Sequence, residues 1–145
     1  MRKESPMTRD QFEKKWLKTF SPDLTEEQYH SCYVWQFLWH VFSYKLVSEE
    51  DFLSGEEAVR AFEQADKTEA ITLWRDDPTA EPLPISDKLS TVKGLNKQRE
   101  TFVVGQNWEW TYVSTHENGW CGPYFCRKKA TVYPWQLPCN QKERT

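Results

Sequence analysis

The residues best placed to do chemistry lie at the end of the strand-like segment Trp108–Glu117. Aromatic and polar side chains alternate there, which places Tyr112 and His116 on one face of a predicted β-strand. His116 is followed by Glu117, and an imidazole beside a carboxylate resembles a general acid/base pair. Because neighbouring strand residues point to opposite faces, the two could act together only where the strand ends. The next residues, Asn118-Gly119, predict such an end, so one candidate pocket surrounds Tyr112, His116 and Glu117.

A zinc site or a cysteine nucleophile near His116 is a second chemistry that the sequence allows. Cys121, Cys126 and Cys139 would complete a four-ligand zinc set with His116. Structural zinc sites favour cysteine pairs two to four residues apart, whereas Cys121 and Cys126 enclose four residues that include a proline and two aromatics. The chain also lacks a local nucleophile signature, a phosphate-binding glycine loop and a His-Glu-x-x-His helix. We therefore predict no metal, no cofactor and no catalytic residue, and expect that the protein is not an enzyme.

Negative charge is concentrated in the middle of the chain. Residues 48–87 contain three Lys/Arg and twelve Asp/Glu, a net charge of −9, although the whole chain has a net charge of −3. An acidic surface repels nucleic acid and attracts basic proteins at rates that depend on salt. Alternatively, these carboxylates are ordinary solvated faces of helices and loops. The predicted partner-binding residues are Glu49, Glu50, Asp51, Glu56, Glu57, Asp76, Asp77 and Glu81.

The elements that must position these residues begin with helices. Capping-box patterns occur at Thr8–Gln11, Thr25–Gln28 and Ser54–Glu57. The first box predicts an amphipathic helix of about three turns. The second predicts a helix from Tyr29 to Phe42 that is apolar most of the way round and is therefore buried. The third predicts another helix, because good helix-forming residues follow it.

Strand patterns dominate the rest of the chain. Ala70–Trp74 is short, β-branched and aromatic, Phe102–Gly105 and the strand from Trp108 form a predicted hairpin, and Tyr124–Lys129 is a further predicted strand. Between them, Asp76–Asn96 is rich in proline and is predicted to be the longest irregular connection. Helices followed by strands indicate an α+β fold, with N-terminal helices packed on a C-terminal antiparallel β-sheet.

Length and composition predict one globular domain over residues 1–145. The chain has 145 residues, the size of one ordinary domain, and its 15% aromatic content includes eight Trp that can build a core. No apolar run approaches the roughly 20 residues that cross a bilayer, and the start of the chain is charged. We therefore expect a cytoplasmic protein that does not bind membranes.

Several short aromatic motifs resemble those of a family of small bacterial proteins of unknown function, found mostly in Gram-positive genomes. The motifs are Trp39-His40-Val41-Phe42-Ser43, Trp110-Thr111-Tyr112-Val113, Thr115-His116-Glu117 and Gly122-Pro123-Tyr124-Phe125. The resemblance extends from about Thr8 to Lys129, although Cys121 and Cys126 depart from the pattern. It implies a bacterial source and a compact domain. The family has no established activity, so the resemblance implies no catalytic role.

Small acidic bacterial proteins with an aromatic core and no catalytic signature often serve as immunity proteins, which neutralise a toxin by covering its active site. We expect an antitoxin-like immunity protein that binds a cognate, basic toxin domain such as a nuclease, and that does not bind nucleic acid. One alternative is a small enzyme or ligand-binding protein that uses Tyr112, His116 and Glu117. Another is an adaptor domain whose partner the sequence does not identify.

Overall fold

The computed structural model describes residues 7–75, 77, 79–85, 100–115 and 122–128. Its helices are α1 (Arg9–Phe20), α2 (Glu26–Ser31), α3 (His40–Ser43) and α4 (Gly55–Gln64). Its strands are β1 (Phe52–Ser54), β2 (Ile71–Trp74), β3 (Leu83–Pro84), β4 (Thr101–Val104), β5 (Trp110–Ser114) and β6 (Tyr124–Arg127). The strands form one antiparallel sheet in the order β1-β6-β5-β4-β2-β3. The predicted α+β fold is confirmed.

The first two capping boxes form as predicted. The Thr8 hydroxyl accepts a hydrogen bond from the Gln11 N–H at 3.1 Å, and the Gln11 side chain accepts the Thr8 N–H at 2.9 Å. Thr25 and Gln28 make the same pair of bonds at 3.1 and 3.0 Å. These bonds satisfy amides that the first turn of a helix otherwise leaves without a partner. The inner side of α1 buries three aromatic side chains at four-residue spacing: Phe12, Trp16 and Phe20.

The predicted helix from Tyr29 to Phe42 is wrong, because the chain leaves helical geometry soon after Ser31. Tyr33 adopts φ +58°, a left-handed conformation that ends a right-handed helix. Further along, the Trp35 carbonyl accepts a hydrogen bond from the Arg75 side chain at 2.9 Å. The apolar pattern in this segment therefore covers a series of turns between α2 and α3.

The third predicted capping box is also wrong, although a helix does begin there. Ser54 occupies the N-cap position of α4, yet its side chain makes no capping hydrogen bond. Ser54 also ends β1, where it pairs with Tyr124, and Gly55 follows with φ +62°. The Gly55 N–H bonds the Pro123 carbonyl at 3.0 Å. The helix thus begins directly from a strand, and β6 fixes its start.

The predicted hairpin is confirmed, but its second strand begins at Trp110 and not at Trp108. Asn107 and Trp108 have φ of +59° and +58°, as the two central residues of a type I′ turn require. Glycine is the usual residue at the second of these positions. Trp108 occupies it here, and its ring packs on α1, 5.3 Å from the ring of Phe12. The side chain therefore joins the turn to the helical layer.

Helices cover both faces of the sheet. The larger core lies between α1, the segment through α3 and one sheet face, and it includes Phe12, Trp16, Phe20, Val34, Leu38, Val41, Phe42, Phe102, Val113 and Cys126. The smaller core lies under α4, and it includes Ala58, Phe62, Val103, Trp110, Tyr112 and Phe125. Adjacent residues of β4 and β5 thus enter opposite cores, so both strands are buried throughout.

The segment predicted as irregular contains a short strand. Ile71 of β2 pairs with Pro84 of β3, which lies at the outer edge of the described sheet. Proline is compatible with an edge strand, because its missing N–H can face away from the neighbouring strand. Asp76, Pro78 and residues 86–96 of the predicted connection lie outside the described residues.

At Gly105, in the hairpin, the neighbouring Trp110 side chain leaves no room for a Cβ. Its N–H bonds the Trp110 carbonyl at 2.9 Å, and a Cβ at this position would lie 2.3 Å from the Trp110 Nε1.

We predict that Gly105→Ala lowers the free energy of unfolding by about 1–3 kcal/mol, measured by urea denaturation, because the buried indole has to move. The same substitution in a Trp110→Phe background should cost less, since the smaller ring leaves room. An equal cost in both backgrounds would show that the contact with Trp110 is not the cause.

Candidate interaction surface

The structure brings five of the predicted partner-binding residues to one edge of the sheet. Glu49, Glu50 and Asp51 precede β1, which is the outermost of the described strands on that side, and Glu56 and Glu57 form the first turn of α4. All five side chains belong to exposed residues. We call these five residues the acidic edge. In the chain, three of them precede β1 and two follow it, and β1 itself has only three residues.

The remaining predicted acidic residues lie elsewhere. Asp77 follows β2 and Glu81 precedes β3, and these two strands lie at the opposite edge of the sheet from β1. Strands β1 and β2 are separated by β6, β5 and β4, which places them roughly 19 Å apart at the usual strand spacing. Asp76 lies outside the described residues. The acidic set predicted from the sequence therefore divides into two separate patches.

An amphipathic cleft lies beside the acidic edge. Its volume is about 470 Å³, and it is lined by Glu50, Asp51, Phe52, Leu53, Phe125, Arg127 and Lys128. Leu53 is 37% exposed, which is high for an apolar side chain in a strand. The Arg127 guanidinium lies 5.1 Å from the centre of the Phe125 ring, a cation–π contact. The cleft thus combines an exposed apolar side chain with carboxylates and cations, a combination suited to binding a protein segment.

Two local interactions already involve carboxylates of the acidic edge. Glu49 lies 3.3 Å from the Lys45 ammonium, in an exposed pair of the kind that contributes little to stability. Glu56 and Glu57 lie at the N-terminus of α4, where the helix dipole favours negative charge. Neither interaction removes the side chains from solvent. The acidic edge therefore presents negative charge that a cationic partner can reach.

The predicted pocket residue Tyr112 is part of the core beneath α4. It is 0% exposed, and its ring stacks on Phe62 with 4.2 Å between ring centres. Burial raises the pKa of the Tyr112 hydroxyl well above its ordinary value, and the nearby Glu63 carboxylate raises it further. His116 and Glu117 lie outside the described residues. A pocket around these three residues stays a prediction.

The part of the chain that the structure describes contains no group of three His, Cys, Asp or Glu side chains arranged to hold a metal ion. Of the candidate zinc ligands, only Cys126 is described. It is buried in β6, where its thiol donates to the Asp51 carbonyl at 3.4 Å. Cys121, Cys139 and His116 lie outside the described ranges. Among the helices of the described ranges, none has the length and apolar composition of a bilayer-spanning segment.

A buried arginine network was not predicted from the sequence. Arg75, at the end of β2, is 9% exposed, and its Nε donates to the Glu13 carboxylate of α1 at 2.7 Å. Its remaining nitrogens donate to the carbonyls of Trp35 and Gln36. Arg9 donates in turn to the Arg75 carbonyl at 2.5 Å. A lone arginine after a strand ordinarily faces solvent, so the sequence gives no signal for this burial.

The raised pKa of Tyr112 predicts a pH dependence of stability. Tyrosine in the unfolded chain ionises near pH 10, whereas folded Tyr112 keeps its proton to higher pH. Above about pH 10 the unfolded state then binds fewer protons, so the contribution of Tyr112 to stability is constant below about pH 10 and falls above it, by up to about 1.4 kcal/mol per pH unit. We expect urea denaturation to show this fall in the wild type and a smaller one in Tyr112→Phe. The control Tyr44→Phe removes an exposed phenol and should behave as the wild type. Parallel profiles for wild type and Tyr112→Phe would contradict the assignment.

Comparison with known proteins identifies one family. A family model described as a domain of unknown function, DUF4275, matches residues 2–125. This match covers most of the 145 residues, including all the helices and five of the six strands described above. No curated protein and no solved structure matches the chain.

Proposed function

The chain belongs to the DUF4275 family of unknown function, and on that premise we propose that it is a bacterial immunity protein that binds and neutralises a basic toxin domain. The observation that supports this proposal is the acidic edge, where five exposed carboxylates flank a short outer strand and an amphipathic cleft. In this proposal the protein acts in the cytoplasm. It is a binding protein and not an enzyme, and it uses no cofactor.

Electrostatics favours a basic partner for such a surface. Clustered charges of one sign raise the rate of association with an oppositely charged protein by roughly 10 to 1,000-fold at low salt. A nuclease is a suitable basic partner, because its substrate-binding surface must attract phosphates. Carboxylates held at the sheet edge can pair with the arginine and lysine side chains that would otherwise contact those phosphates. Binding in this way covers the active site and excludes nucleic acid.

The exposed Leu53 adds an apolar contact to this charged surface. Protein interfaces commonly surround a buried apolar centre with a polar rim. Leu53 lies between the two acidic groups along the chain and lines the cleft with Phe125. A partner side chain that enters the cleft would cover Leu53 while its charged neighbours meet the acidic edge. The interface then has affinity from burial and selectivity from charge.

The alternative of a ligand-binding or catalytic site has less support among the described residues. Tyr112 is enclosed between Phe62 and the sheet, so its hydroxyl does not face solvent. An adaptor domain with another basic partner would use the same acidic edge. It differs from an immunity protein in one respect, namely that its partner would not be toxic to the cell.

Affinity capture from the native host at low and high salt, followed by mass spectrometry, tests the proposal. We predict a stoichiometric basic partner that is lost at high salt and whose expression alone arrests growth. With the purified partner, Glu49→Lys/Glu50→Lys should weaken binding at least about tenfold, because like charges then oppose association.

The matched control is Asp10→Lys/Glu69→Lys, which changes the net charge equally at exposed sites away from the acidic edge and outside the predicted partner-binding set. It should retain near-wild-type affinity. An equal loss for both variants would indicate an effect of net charge and not of the acidic edge. A captured partner that has no toxicity, or that binds equally well at high salt, would contradict an immunity role of this kind.

A further inference from the structure

A second exposed surface, built from aromatic side chains, lies on the helical layer. Tyr33, Trp35 and Tyr44 are 52%, 48% and 48% exposed. The Tyr33 and Trp35 rings lie 6.5 Å apart, and the Tyr44 ring stacks on His40 at 4.9 Å. We call Tyr33, Trp35 and Tyr44 the aromatic surface. Aromatic residues are costly to expose to water and are enriched at the centres of protein interfaces.

The chain holds this surface in a fixed conformation. Tyr33 adopts the left-handed φ of +58°, which a bulky side chain rarely does unless its surroundings enforce it. The Trp35 carbonyl accepts a hydrogen bond from the buried Arg75 side chain, which Glu13 anchors. The Cys32 carbonyl lies 2.7 Å from the His40 Nδ1. A backbone held in this way loses little conformational entropy on binding, which favours affinity.

The chain segment that carries the aromatic surface is acidic, and Lys45, which follows it, is paired with Glu49. The segment from Asp23 to Tyr44 contains no Lys or Arg, and its three carboxylates, on Asp23, Glu26 and Glu27, belong to exposed residues. The faces of Tyr and Trp rings carry negative electrostatic potential and attract guanidinium and ammonium groups. Both the rings and the carboxylates therefore favour positive charge.

The aromatic surface adjoins the acidic edge at one point. Tyr44 precedes Lys45, and the Lys45 ammonium lies 3.3 Å from the Glu49 carboxylate. The Phe42 ring, in α3, lies 4.9 Å from the ring of Phe52, in β1, so the end of the helical layer packs beside the outer strand. A partner of ordinary size can contact both surfaces.

We infer that the aromatic surface anchors a basic protein segment, with an Arg or Lys side chain lying over the Trp35 and Tyr33 rings and an apolar neighbour packing against Tyr44. This inference rests on the proposed function, and it adds to Leu53 a second apolar part of the interface, which lies outside the acidic edge. Within such interfaces a few aromatic anchors dominate the affinity, while surrounding charges mainly set the association rate.

A synthetic peptide with alternating Arg and Leu tests the inference directly on the whole protein. Indole N–H signals are followed by NMR during the titration, and the Trp35 signal is identified by its loss in Trp35→Phe. A peptide with Glu in place of Arg is the charge control. We expect the Trp35 signal to shift with the Arg peptide only, and Trp35→Ala to weaken binding at least fivefold. The matched control is Leu83→Ala, which removes an exposed apolar side chain, 54% exposed, from the far edge of the sheet and should have no effect.

Tyr44→Ala is a second variant of the aromatic surface. Thermal unfolding of each protein shows whether a loss of binding comes from a loss of folding. Binding that survives Trp35→Ala and Tyr44→Ala but is lost in Glu49→Lys/Glu50→Lys would overturn the inference and leave the proposed function standing. Binding that is lost in the aromatic variants but unchanged by the charge reversal would support the aromatic anchor and count against the acidic edge. Failure of the Arg peptide to bind would overturn the inference. Dimerisation of the wild type that Trp35→Ala abolishes would also overturn it, because a second copy of the chain would then cover the surface.

Discussion

The central strands β4 and β5 have no solvent-facing side, and the rest of the structure depends on this constraint. A polar group in either strand must find its partner inside the protein. The Thr111 hydroxyl does so twice, accepting a hydrogen bond from the Trp16 indole at 2.9 Å and donating to the Val103 carbonyl at 2.8 Å. The first bond joins α1 to the middle of the sheet, and the second joins β5 to β4. The other strands extend the sheet from this centre, and α4 closes its second face.

The sequence predicted the elements whose determinants are local. Thr8 and Gln11 specify the start of α1 because a capping box needs only four consecutive residues, and the alternating pattern around Tyr112 specifies a strand. The helix predicted from Tyr29 to Phe42 was wrong because its interruption depends on distant groups. Arg75, about forty residues away, bonds carbonyls that a helix would use, and no local pattern records that contact.

The sequence predicted which acidic residues are exposed, but it did not predict which of them are neighbours in the fold. Runs of Glu and Asp predict exposed carboxylates, because few buried sites can satisfy their charge, and those described are largely exposed. Strand order decides which of them are neighbours, and that order depends on pairing between residues far apart in the chain, such as Leu53 with Phe125. Glu49 and Glu81 were therefore predicted as one set, although five strand spacings separate β1, beside Glu49, from β3, beside Glu81. The exposure of Trp35 was missed for the same reason as the break in its helix.

Charge beside an outer strand has a structural explanation as well as a functional one. Proteins commonly protect edge strands with charged residues and short length, and β1, with three residues between acidic groups, fits that description. Protection alone does not explain the exposed Leu53, because an edge guarded against association gains nothing from an apolar side chain. The two explanations are compatible if the acidic groups repel other copies of this acidic chain while they attract a basic one. Leu53 then contributes affinity only after charge has selected the partner, so the same carboxylates that keep copies of the chain apart also define what it binds.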